Sequence, residues 1–144
     1  MQTNSLSMQR SAEGDRLLEL FSKIFIALNA AVYAGFTIGF FLVPIRLASM
    51  IGIEIKSSAA LADFRAMYGG LCLGVGVLLL LGLFKEEWRK ASILLAITTA
   101  SGLFLGRIYT LFLDGPGNEY IYLSMATEVG ATVIGAWILQ RISK

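Results

Sequence analysis

Residues 63–84 read DFRAMYGGLCLGVGVLLLLGLF, an acidic and a basic side chain at the mouth of a run that is otherwise uncharged and studded with glycine. An apolar run of about 20 residues is long enough to cross a ~30 Å hydrocarbon core as a helix. This one carries a guanidinium in its first turn. Three similar runs surround it: 24–43 (IFIALNAAVYAGFTIGFFLV) before it, 91–113 after the charged break KEEWRK, and 120–139 after GPGNE. With 56% apolar and 15% charged residues in a chain of 144, the composition suits lipid better than water.

These spans predict an all-α fold: an integral membrane four-helix bundle, antiparallel and up-down, because connections at 85–90 and 114–119 are short enough to make neighbours hairpins. Residues 1–16 (MQTNSLSMQRSAEGDR) are polar and lack periodicity, so they read as a flexible tail, and 17–144 as a single transmembrane domain. The first apolar run is too long for the core of a cleaved signal peptide. Residues 44–61, with Arg46, Glu54 and Lys56, are too charged to span and read as a loop that can hold a short helix at the membrane surface. Arg10, Arg16, Lys23, Lys85, Arg89, Lys90, Arg141 and Lys144 fall on one side of the four spans, and only Arg46 and Lys56 on the other. Cationic loops stay cytoplasmic, so both termini are expected there, in a bacterial inner membrane. Trp88 and Trp137 then anchor the inner interface, and Tyr120 and Tyr122 the outer one.

Several chemistries are excluded at this level. Histidine is absent and Cys72 is the one cysteine, so no metal site of the usual ligands and no histidine-ligated haem can be assembled. Nucleophile pairs that need a histidine base fail for the same reason. A net charge of +2 spread over loops leaves no nucleic-acid footprint, and no cofactor is expected.

What remains is the ionisable set inside the spans: Arg65, Arg107 and Glu128, flanked by Asp63 and Asp114. At ~1.5 Å per residue, Arg107 lies ~9 Å and Glu128 ~12 Å inside the outer ends of their helices, and Arg65 about a turn inside its own. Helical spacing groups Ser124, Glu128, Ala131, Thr132 and Gly135 on one face. It likewise groups Arg107, Thr110 and Asp114; Arg65, Tyr68, Gly69, Cys72 and Gly76; and Asn29, Tyr33 and Thr37. An unpaired charge at a helix centre costs about 2.5–3.5 kcal/mol on insertion scales, so the charges should meet in the interior. The expected arrangement is an Arg65–Glu128–Arg107 cluster balanced by Asp63 or Asp114. The glycine pairs Gly35/Gly39, Gly70/Gly74 and Gly102/Gly106 offer sites for close helix approach.

The segments DFRAMYGGLCLG and FLGRIYTLFLDGPG, with the acidic residue of TEVGA in the last span, resemble the bacterial membrane family of domain of unknown function 4345 across positions 24–140. The matching residues are Arg65, Tyr68, Gly69, Gly70, Gly106, Arg107, Asp114, Gly115 and Glu128. That family more often has Glu where this chain has Asp63. More distantly the arrangement is similar to DoxX-like proteins and the Erg-type scaffold proteins of sterol synthesis. The resemblance implies a fold and a site and brings no activity with it.

Two functions suit the charged interior. In the first, a lipid or amphipathic anionic ligand binds at the cluster, with Tyr33, Tyr68 and Tyr109 as hydrogen-bonding walls, the protein serving as accessory to a partner protein or as a homo-oligomer. In the second, Glu128 exchanges protons in a compact transporter, although flanking guanidiniums oppose that exchange and no span is broken in its middle. A quinone- or lipid-modifying enzyme has no recognisable nucleophile or metal set and ranks last.

Overall fold

A computed structural model describes the backbone of residues 2–143 and the side chains of residues 13–143. Every regular element among them is helical. Helix α1 covers Gln2–Leu42, α2 Pro44–Met50 and α3 Ser58–Phe64; a π-helical turn, Arg65–Gly70, joins α3 to α4 (Leu71–Phe84); α5 is Glu86–Leu113 and α6 Glu119–Ile142. The stretches Glu13–Leu42, Ser58–Phe84, Glu86–Leu113 and Glu119–Ile142 are long and apolar enough to cross a membrane, as a multi-pass membrane protein requires.

Local chemistry sets the boundaries. Pro44 has no N–H to continue α1 and disfavours helical backbone at the residue before it; Val43 leaves the helix at φ −131°, and α2 starts with Pro44 in its first turn. The Ser57 hydroxyl caps α3 by accepting from the Ala60 N–H at 3.1 Å. Asn118 caps α6 in the same way through the Ile121 N–H, also at 3.1 Å. Gly115, at φ +104°, takes the left-handed conformation that ends α5, and Pro116 comes directly after it.

Three expected boundaries move. The tail expected at 1–16 is helical from Gln2 on, because no proline stands between it and the first span. The linker expected at 85–90 shrinks to Lys85, in extended backbone, while Glu86 and Glu87 enter the first turn of α5, where carboxylates complement the helix dipole. The second span begins at Ser58 instead of Phe64, and the preceding loop does hold a short helix, α2.

Neighbouring helices run antiparallel. The Ser92 hydroxyl donates to the Leu78 carbonyl at 2.7 Å, tying α5 to α4 just past the turn at Lys85. Ser101 and Thr132 hydroxyls lie 3.2 Å apart and Arg107 meets Glu128, so advancing along α5 means retreating along α6. α1 packs along α4 and the π-helical turn, and touches α5 and α6 as well. Phe21 meets Trp137 edge-on at 6.5 Å, which puts the middle of α1 and the last turns of α6 beside the Lys85 turn. We call this the Lys85 end and the opposite one the Gly115 end.

The core is lopsided. Phe25, Ile26 and Ala30 of α1, Leu79 of α4, Ile93 and Ala96 of α5 and Ile138 of α6 form one buried cluster drawn from all four long helices, all toward the Lys85 end. Toward the Gly115 end, the buried cluster of Phe40, Ala48 and Phe64 draws only on α1, α2 and α3. Meanwhile Leu28, Val32, Leu105, Phe112, Leu123 and Val133 stay more than half exposed, an apolar surface suited to contact with acyl chains.

Where helices touch, missing side chains decide the distance. A Cβ at Gly82 would collide with the Ser92 side chain, and one at Gly135 would stand 2.7 Å from Ile97 Cγ1 and 2.9 Å from Phe25 Cζ. The pairs singled out by spacing behave differently. Gly35, Gly74, Gly102 and Gly106 face open space, and Gly39 is tight only against Leu47 of α2. Spacing fixes which glycines share a face, and the partner's position fixes which of them matter.

Candidate functional site

Glu128 is the buried acid of α6, and its Oε1 accepts a hydrogen bond from Arg107 Nη1 of α5. The expected face of α6 does turn inward: Glu128 and Gly135 are buried, and Ser124, Ala131 and Thr132 are partly covered. Glu128 Oε2 is buried with no protein partner. Arg107 is three-quarters buried, but Thr110 and Asp114, placed on the same face by spacing, are exposed near the end of α5. An ionic pair of this kind satisfies each charge with the other, which is how the low-dielectric interior tolerates both.

Arg65 does not join them. Its side chain has no salt bridge or hydrogen bond to any described residue, and its Nε is buried without a partner. The expected three-member cluster is therefore a pair. The cause is the π-helical turn, in which the Leu71 N–H reaches back five residues to the Ala66 carbonyl. One extra residue in a turn rotates the helix before it by about 100° relative to the helix after it. Gly69 permits the wide turn to press on α1, where a Cβ would meet the Phe41 ring at 3.1 Å and Phe40 Cβ at 3.4 Å. The face drawn from Arg65 to Gly76 by regular spacing is thus broken between them, and the turn packs on α1, α3 and α4.

The remaining candidates scatter. Tyr68 lies in an aromatic group, its ring 4.5 Å from Phe64 and 5.3 Å from Phe40. Tyr33 packs against the main core, over Gly76. Tyr109 and Asp63 are exposed, and neither Asp63 nor Asp114 pairs with a cation among the described residues. Asn29 and Thr37 do lie on the partly covered stripe with Tyr33, but each donates to its own helix, to Phe25 and Tyr33 carbonyls.

Arg65 instead faces the elbow between α1 and α2. It lines a hollow of about 560 Å³ together with Arg46 and Ser49 of α2 and the apolar side chains of Leu42, Val43 and Leu61. Arg46 is exposed and also has no carboxylate partner among the described residues. Helical spacing offered no reason to set Arg46 and Arg65 on one hollow, since the Pro44 elbow decides where α2 lies.

Another partly buried cation lies at the opposite end. Arg89, assigned by sequence to a linker, has a side chain only 13% exposed, with Nη2 3.6 Å from Glu19 of α1 and Nη1 3.9 Å from Glu86. Glu19 also pairs with Lys23 at 2.8 Å. Glu19 four residues before Lys23, and Glu86 three before Arg89, were the available signals.

No curated protein and no solved structure matches the chain. The family model described as "Domain of unknown function (DUF4345)" matches residues 21–139, from the middle of α1 to the last turn of α6, and includes Arg46, Arg65, Arg107 and Glu128. With that match covering most of its length, the chain belongs to the DUF4345 family.

Proposed function

We propose that this protein binds an anionic amphipathic molecule, a lipid or a lipid-like solute, in the half of its helices toward the Gly115 end. The observation that carries this reading is Arg65. Its guanidinium sits within a candidate span without a carboxylate partner, whereas Arg107 is already matched by Glu128. A cation at that depth is costly when unpaired, and an anionic ligand would remove the cost.

The Arg107–Glu128 pair then serves as a fixed polar wall joining α5 to α6. That role weighs against proton-coupled transport through Glu128, because an exchanging carboxylate must be free to change partner. The excess of Lys and Arg at the Lys85 end supports a cytoplasmic location for both termini, which in a bacterial inner membrane would turn the Gly115 end toward the outer leaflet. An accessory role toward a partner protein or a second copy is compatible with the exposed apolar helix faces.

The test is native mass spectrometry of protein extracted in mild detergent. Anionic lipid adducts are expected on the wild type and depleted in Arg65→Gln. Equal adduct populations in the two would overturn the reading.

A further inference from the structure

The hollow at the elbow has the makings of a specific site. Its lining includes two arginines, Arg46 and Arg65, and no acidic residue. The nearest acids in sequence do not line it: Glu54 pairs with Lys56 at 3.2 Å, and Asp63 is exposed and forms no salt bridge among the described residues. Ser49 donates its hydroxyl to the Arg46 carbonyl at 2.8 Å, so the arginines are the free donors of the hollow. Two like charges lining one concavity repel until an anion lies between them, and the fork of N–H groups on each suits a phosphate oxygen pair.

Position narrows the ligand further. Arg65 belongs to the candidate span Ser58–Phe84, whereas Arg46 lies on α2 outside the four candidate spans, so the hollow straddles the edge of the apolar layer. In a bilayer the edge of the hydrocarbon layer is where lipid headgroups begin. Leu42, Val43 and Leu61 line the same hollow and would receive the first carbons of acyl chains. Its volume of about 560 Å³ is ample for a phosphate and a glycerol backbone.

We propose that Arg46 and Arg65 together bind the phosphate of an anionic phospholipid at the α1–α2 elbow. This rests on the reading of an anionic amphipathic ligand and gives it a place, a second arginine and a chemical class. Arg107 and Glu128 lie outside the site.

The test uses full-length protein in detergent micelles, titrated with phosphatidylglycerol, with phosphatidylcholine and with inorganic phosphate, and read by native mass spectrometry. Phosphatidylglycerol is expected to bind in preference to phosphatidylcholine, and Arg46→Gln and Arg65→Gln each to weaken it by roughly fivefold to tenfold. Lys56→Gln, an exposed cation outside the hollow, should leave binding unchanged. Arg46 is on the surface, so its substitution keeps the test valid even if Arg65→Gln misfolds. Wild-type protein without any preference for the anionic lipid overturns both this site and the broader function. A preference that survives both substitutions and is lost in Arg107→Gln overturns the elbow site alone. Inorganic phosphate displacing the lipid at equal concentration makes the ligand a free anion and overturns the phospholipid assignment.

Discussion

Glu128 of α6 pairs with Arg107 of α5 and leaves Arg65, on the π-helical turn, without an acid. One guanidinium of the span interior is thereby structural and the other available. The two differ in what their removal should do.

Removing either member of the Arg107–Glu128 pair strands its partner in a low-dielectric setting, at a cost on the order of 3 kcal/mol. Arg107→Leu and Glu128→Leu should each lower the thermal midpoint in detergent. The double variant should be more stable than either single one, since no orphaned charge remains. Additive losses would mean that the two side chains do not depend on each other.

The Lys85 turn depends on Gly82. A methyl there would collide with the Ser92 side chain and stand 3.1 Å from the Trp88 carbonyl oxygen, so Gly82→Ala forces α4 and α5 apart and should cost about 1–3 kcal/mol. In a Ser92→Gly background part of that penalty disappears, although the bond from Ser92 to the Leu78 carbonyl is lost with it. The same penalty in both backgrounds, measured by thermal unfolding, would contradict the contact.

Glycines of identical helical context should respond oppositely. Gly135→Ala pushes a methyl against Ile97 and Phe25 and should destabilise the protein, whereas nothing lies within 4 Å of a Cβ at Gly102. Gly102→Ala should be neutral or stabilise by about 0.5–1 kcal/mol through helix propensity. Circular dichroism melts of the two variants side by side make the comparison. Equal destabilisation would show that Gly102 is also an interface.

Orientation is open to cysteine labelling in a Cys72→Ser background. Lys85→Cys and Ser143→Cys should react from the cytoplasmic face with a membrane-impermeant reagent, and Lys56→Cys and Pro116→Cys from the opposite face. Labelling of Lys85→Cys and Pro116→Cys from one common side would break the four-span topology.

The sequence alone determined what depends on length and local chemistry. Four apolar runs were long enough to become four long helices, Pro44 and Gly115 marked two of their ends, and the inward face of α6 came from regular 3.6-residue spacing. Arg107 and Glu128 could be paired on paper because α5 and α6 are joined by a short turn and run without interruption, so levels counted from that turn stay in register. Arg65 could not be placed that way. Its direction depends on a π-helical turn that forms where Gly69 lets the backbone press on Phe40 and Phe41, residues distant in sequence. The shared hollow of Arg46 and Arg65, the ion pair of Arg89 with Glu19, and the choice of Gly82 and Gly135 over the spaced glycine pairs likewise depend on how separate helices pack. A periodic pattern says which residues share a face, but only packing says what that face meets.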